Sequence, residues 1–254
     1  MTWVARIAID RPERMNAFDI DTHEEFDAAI DRVENEDDDI RIAAITGTGE
    51  RAFSSGRDLK WTAQVRRASD EARADVDRRM AALMRLQFRH DITKPLLARV
   101  NGVALGGGLE FALACDIIVA ADYVEMCLPE ARRALIAGAM GIHRLPRQLP
   151  HHLAMGFPLT GRHFSAQKAV ELGLVNQVTP MEELDSAVDS WIAGIIRCSP
   201  AAIRATKESA LNALHLSLAD AGQYRGPMES AWPTSSDRIE GPRAFADKRN
   251  LDCS

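Results

Sequence analysis

Leu96-Leu97-Ala98-Arg99-Val100-Asn101-Gly102-Val103-Ala104-Leu105-Gly106-Gly107-Gly108-Leu109-Glu110-Phe111-Ala112-Leu113-Ala114 places an aliphatic run, a glycine-rich junction and an apolar helical run in direct succession. The first five residues have the length and branching of a buried strand. Residues 109–114 fit a buried helix. Three successive glycines cost backbone entropy on folding, so the junction must repay it with something a side chain would obstruct. One explanation is close packing of the helix against a sheet. The other is a helix start whose free N–H groups face an anion or oxyanion. The junction is not a dinucleotide fingerprint, because Phe111 stands where the third glycine of G-x-G-x-x-G would fall. It is not a Walker loop either, since no Gly-Lys-Ser/Thr follows. Glu110 lies in the first turn of the helix, where the helix dipole alone favours a carboxylate.

Working outward, residues 3–9 and 40–46 are further Val/Ile/Ala-rich runs bounded by polar residues. Between the strands, 21–36 spaces Phe26, Ala29, Ile30 and Val33 by three and four, and 70–88 does the same with Val76, Met80, Leu83 and Met84. Alternating strands and helices predict an α/β fold with right-handed crossovers. Residues 124–128 form another strand-like run, ended by Pro129. From Ser165 the chain turns helical, over 165–172, 181–197, 200–216 and 218–228, with 174–178 the best strand. We therefore divide the chain into an α/β core, 1–160, and a C-terminal helical region, 161–254. The acidic run 34–39 reads as a solvated turn and His151-His152 as a solvated pair.

Composition narrows the function classes. The 254 residues carry 31 Lys+Arg against 37 Asp+Glu, a formal charge of −6, which argues against a nucleic-acid or anionic-membrane binder. The most apolar stretch, 102–123, is interrupted by Glu110, Asp116 and Asp122, and 1–14 has no apolar core of signal-peptide length. Cys115, Cys127, Cys198 and Cys253 form no C-x-x-C pair, as suits reduced thiols in a cytosol, and a zinc site has no support. A cytoplasmic location is expected.

Two further segments could carry chemistry. Ala52-Phe53-Ser54-Ser55-Gly56-Arg57-Asp58-Leu59-Lys60 is a small-residue loop able to expose a backbone N–H. Glu130 follows Leu128-Pro129, twenty residues after Glu110. Each glutamate alone is explained structurally. Together, beside a glycine-lined oxyanion site, they could hold one water and move protons on adjacent carbons.

These segments, with Asp10-Arg11-Pro12-Glu13-Arg14-Met15-Asn16-Ala17, Cys115-Asp116, Thr160-Gly161-Arg162 and the tail 240–249, resemble the enoyl-CoA hydratase/isomerase (crotonase) superfamily over almost the whole chain. The 128–150 region and the tail look nearest to its carnitinyl-CoA dehydratase branch. The resemblance implies a crotonase-like β-β-α superhelix with a C-terminal helical trimerisation region, and a homotrimer or a hexamer made of two trimers.

It also implies residue roles. Backbone N–H groups of Arg57 and Gly107 would bind the thioester oxygen. Glu110 would deprotonate water for attack at C3, Glu130 would protonate C2, and Gly138 would lie near that water. Arg14, Met15, Ala17, Asp58, Leu59 and Lys60 would line the approach of coenzyme A, with Phe245 and Lys248 reaching it, commonly from a neighbouring subunit. Coenzyme A is part of the acyl-CoA substrate, and no metal or redox cofactor is implied. The sequence departs from the family pattern at Arg57, in place of a small residue, at Met140, in place of glycine, and in the added charges Arg132-Arg133. Trp61, Val65, Met84 and Met140 are candidate walls of the acyl pocket. Two retained glutamates favour a hydratase over a Δ3-Δ2 enoyl-CoA isomerase, which could manage with one carboxylate. A non-catalytic acyl-CoA- or RNA-binding member of the same fold is the alternative from another class.

Overall fold

Strands pass alternately between two sheets in the computed structural model, which describes residues 3–36 and 39–251. One sheet holds β1 (Val4–Ile9), β2 (Ile42–Gly47), β4 (Leu96–Val100), β6 (Ile117–Ala121) and β9 (Gln177–Thr179), all parallel and in that order. The other holds β3 (Ala52–Ser54), β5 (Val103–Leu105), β7 (Glu125–Cys127) and β8 (Phe164–Ser165), the last antiparallel to β7. Each pair β2–β3, β4–β5 and β6–β7 steps from the first sheet to the second and then leads into helix, so the expected β-β-α winding is present.

The helices are α1 (Ile20–Asp31), α2 (Leu59–Arg67), α3 (Asp70–Ala82), α4 (Gly107–Ala112), α5 (Gly141–Gln148), α6 (His151–Thr160), α7 (Ala166–Glu171), α8 (Leu184–Ile196), α9 (Pro200–Asn212), α10 (Leu218–Ala221), α11 (Pro227–Ala231) and α12 (Ser236–Ala246). Burial explains the first sheet: β2 and β4 are aliphatic because both faces are covered. Phe18, Phe26 and Phe111 form an aromatic knot against it, with Phe18 and Phe111 stacked at 4.5 Å. Asn101, wholly buried at the β4–β5 corner, donates from Nδ2 to Gly47 O at 2.8 Å and accepts from Thr46 Oγ1 at 2.9 Å. That side chain satisfies backbone groups where the chain leaves one sheet for the other.

Several expected elements differ. The helix predicted over 70–88 stops at Ala82, where Leu83 turns to an extended backbone, and Arg85 beyond it takes a positive φ of 41° that no helix passes through. None of α3 is buried, so its apolar spacing does not mark a core helix. The run 21–36 is α1 followed by a wider π turn over Arg32–Glu36. Residues 218–228 break into α10 and α11 around Gly222 and Gly226, and the strand expected at 174–178 lies at β9 instead.

The acidic run 34–39 is not simply a solvated turn. Glu34 is buried and accepts hydrogen bonds from Thr93 Oγ1 and Lys94 N, while Arg204 pairs with it; positions 37 and 38 lie outside the described residues. His151 and His152 are exposed in the first turn of α6. Beyond position 160, β8 and β9 join the two sheets, after which the chain is helical. Cys115, Cys127 and Cys198 are free thiols, and Cys253 lies outside the described residues. Among the described residues no helix is long and apolar enough to cross a membrane.

Candidate active site

The second sheet ends at a cavity of about 560 Å³ where the loops after β1, β3, β5 and β7 converge. Its backbone floor is built by close approach of two loops. Gly56 has a φ of +78°, and a Cβ there would sit 2.5 Å from the Gly107 nitrogen. A Cβ on Gly107 would lie 3.6 Å from the Arg57 nitrogen. The N–H groups of Arg57 and Gly107 are thus neighbours, and neither donates to an acceptor among the described residues. The structure holds them in place from below: Ser54 Oγ donates to Asn16 O at 2.7 Å and accepts from Gly56 N at 3.0 Å. Asn16 Nδ2 in turn donates to Ala52 O at 2.7 Å. Two adjacent unpaired amides in a preorganised loop are what a developing oxyanion requires.

Glu110, on α4, is 3 % exposed, and its Oε1 accepts a hydrogen bond from Gly141 N at 2.7 Å. Burial pushes its carboxyl up to about 7, helped by Glu130 and opposed by the amides of Gly141 and Ala139. Glu130, in the turn after β7, is also pushed above the usual carboxylate range by burial. Its Oε2 is buried without a hydrogen-bond partner, and its Oε1 lies 2.7 Å from where a Cβ on Gly106 would be. Gly106, at a φ of +54°, is therefore required both by its backbone and by this carboxylate. The two glutamates interact electrostatically across one cavity, each holding a proton more readily than a solvated carboxyl.

Arg14, Met15, Ala17, Asp58, Leu59, Lys60 and Gly138 line the same cavity. Asp58 is already employed: it caps α2 through Trp61 N at 2.9 Å and pairs with Arg11 at 3.5 Å. The N–H of Gly138 is engaged by Ile136 O at 2.8 Å. Phe245 and Lys248 lie outside the cavity lining, Phe245 being 87 % exposed. Trp61, Val65, Met84 and Met140, the candidate acyl walls, do not line it either. Met84 points outward because the helix stops before it, and Met140 faces a separate cavity.

Sequence reasoning missed His23, Arg85, Leu135 and Ile136, all of them lining residues, while Arg133, noted there as an added charge, lines the cavity too. His23 packs on Phe18 at a ring distance of 4.8 Å. Burial, reinforced by Arg85 and Arg57, pushes its imidazole down to about 4, so it is neutral near pH 7. No motif spacing announces these residues; the left-handed backbone at Arg85 is visible only in three dimensions. Among the described residues no group of three His, Cys, Asp or Glu side chains is arranged to hold a metal ion.

Known proteins resemble this chain in sequence and fold. Residues 2–253 match the family described as enoyl-CoA hydratase/isomerase. The chain is 36% identical over 252 residues to a carnitinyl-CoA dehydratase of Salmonella arizonae, covering 97% of this chain and 93% of that protein. An enoyl-CoA hydratase of Bacillus anthracis superposes with a TM-score of 0.88 at 32% identity, covering 100% of this chain and 96% of the other. One from Mycobacterium tuberculosis H37Rv gives the same TM-score of 0.88, also at 32% identity and with coverages of 100% and 96%.

Proposed function

The chain belongs to the enoyl-CoA hydratase/isomerase family, and from that premise we propose that it reversibly adds water across the C2=C3 bond of a 2-enoyl-CoA thioester. The observation that carries this reading is the pair of protonation-shifted glutamates, Glu110 buried and Glu130 half-buried, facing one cavity beside two unpaired amides. The thioester oxygen accepts hydrogen bonds from the N–H groups of Arg57 and Gly107. As charge moves onto it, each donor contributes on the order of 3 kcal/mol, because the donors need no reorganisation. Glu110 removes a proton from water as the oxygen attacks C3, and Glu130 gives a proton to C2. The reverse sequence dehydrates a 3-hydroxyacyl-CoA. Gly138 lines the cavity near that water, its own amide engaged by Ile136 O.

Arg14, Met15, Ala17, Leu59 and Lys60 form the coenzyme A approach, with Asp58 fixing the turn that presents them. Phe245 and Lys248 act on the coenzyme of a neighbouring subunit, and 161–254 serves self-association as a trimer or a pair of trimers. A cytoplasmic location fits the free thiols, of which Cys115 and Cys127 are made less acidic by burial.

The test is loss of the conjugated enoyl-thioester absorbance over a panel of 2-enoyl-CoAs, with product mass recorded. Addition of one water supports the reading. Hydrogen exchange at C2 and C4 without added water would identify an isomerase instead.

A further inference from the structure

Among the arginines that line the cavity, Arg57 and Arg85 act on one another, and neither has a carboxylate within ion-pair distance among the described residues. Arg57 donates from Nε to Thr62 Oγ1 at 3.0 Å, and burial, together with the like charges of Arg66 and Arg85, outweighs the opposite charge of Asp77 and makes it easier to deprotonate. Arg85 lies with its guanidinium 4.4 Å over the Phe88 ring, on a backbone with a φ of 41°. A residue with a Cβ adopts that backbone only when its surroundings impose it. The loop therefore spends conformational energy to turn this arginine into the cavity. Arg85 acts electrostatically on Arg57, His23 and Glu110 alike, so these four groups share one neighbourhood. Neither Glu110 nor His23 forms an ion pair with Arg85: Glu110 Oε1 is held by Gly141 N, and His23 is uncharged near pH 7. Other cavity cations lie elsewhere: Arg133 acts on Glu130, while Arg14 and Lys60 belong to the proposed coenzyme approach.

Like charges held together in a partly desolvated cavity are unfavourable unless a ligand supplies the counter-charge. Glu110 is assigned to C3, so an anion that meets Arg85 sits on the acyl side of the reacting carbons. We propose that the acyl group ends in a carboxylate: the substrate is a coenzyme A monothioester of an unsaturated dicarboxylic acid, its free carboxylate bound by Arg85 and the Arg57 side chain. A planar guanidinium suits that group because it can donate two parallel N–H bonds to it. A carnitinyl group, which carries a quaternary ammonium, would meet repulsion at the same place. The assignment of the acyl side rests on the proposed role of Glu110, and the experiment separates the two.

Binding of saturated thioesters needs no turnover. Titration calorimetry should show glutaryl-CoA or adipyl-CoA binding at least ~10-fold more tightly than pentanoyl-CoA or hexanoyl-CoA. That ratio should collapse towards one in Arg85→Gln and be partly restored in Arg85→Lys, with folding checked by circular dichroism. A wild-type ratio of one or less, or a ratio that Arg85→Gln leaves unchanged, overturns the proposal. Should Arg85→Gln fail to fold, the wild-type ratio and Arg85→Lys still decide. Hydration of glutaconyl-CoA and crotonyl-CoA is measured in parallel. A carboxylate preference in binding with no hydration of any thioester would reject the hydratase reading and keep the anion site. Hydration with no preference would do the reverse.

Discussion

Glu110 couples chemistry to stability because one environment does both. As the base, it must be ionised, so kcat/KM should rise with pH through an apparent pKa of about 7 and lose that limb in Glu110→Gln. Glu110→Gln and Glu130→Gln should each lower turnover by at least ~10²-fold; wild-type rates in both would remove the two-glutamate mechanism. For stability, the folded value of about 7 lies above the 4.5 of a solvated glutamate, so the folded state binds the extra proton between them. Stability from Glu110 is therefore present at pH 4.5 and lost as pH rises to 7, a loss on the order of 3 kcal/mol. Urea unfolding at pH 5 and pH 8 should show Glu110→Gln gaining on the wild type only at the higher pH. His23 has the opposite sign: its folded value of about 4 is depressed from 6.5, so its contribution is present above 6.5 and lost as pH falls towards 4. His23→Gln should flatten that acid slope. Glu110 and Glu130 were legible as residues because their loops carry recognisable motifs. His23 and Arg85 were not, since their importance comes from burial and backbone geometry that no local pattern encodes.

At the scale of elements, the legible parts were those long enough to show a period. β1, β2, β4 and α1 stand within a few residues of their expected positions, whereas β3, β5 and β8, of two or three residues each, are too short for alternation to register. β6 lay hidden in an apolar stretch that could not be divided by periodicity alone. The glycine junction was ambiguous in sequence between close packing and anion binding, and the structure shows close packing at Gly108 beside an amide at Gly107 that has no acceptor among the described residues. Gly108 serves packing, since a Cβ there would come 2.0 Å from Ser54 O, backbone against backbone. Gly56 and Gly107 serve the approach of two amides. The two roles separate by mutation. Gly108→Ala should destabilise the whole fold by ~2 kcal/mol or more, read as a lowered urea midpoint. Gly56→Ala, strained at a φ of +78° and pressed on the Gly107 amide, should also cost turnover out of proportion to stability, by ~10²-fold in kcat at temperatures where it is folded. Equal loss of stability and activity in both variants would mean that the loop is scaffolding only. Met140, noted in sequence as standing for glycine, adopts a φ of 77° at the start of α5, which is why glycine suits that position.

On the whole molecule, apolar side chains gather on the outside of the C-terminal half. Leu214 is 72 % exposed, Leu218 91 % and Phe245 87 %, on or beside α9, α10 and α12, and Leu159 and Ile239 add to them. Apolar side chains exposed to water in this way are what the proposed self-association would cover. Light scattering should therefore give a mass of about three or six times 28.0 kDa. Leu218→Asp should shift it towards one chain, because a carboxylate in a buried apolar contact must be desolvated without a partner. The same variant tests where Phe245 acts. If a neighbouring subunit supplies it, dissociation removes its contact with coenzyme A as surely as Phe245→Ala does. Each single variant should then weaken coenzyme A binding several-fold, and the double variant should be no weaker than the worse single one, since both delete one interaction. Additive losses would place Phe245 on the cavity of its own chain, reached by a movement of α12. A wild-type monomer with full coenzyme A affinity would remove the neighbour from the site altogether.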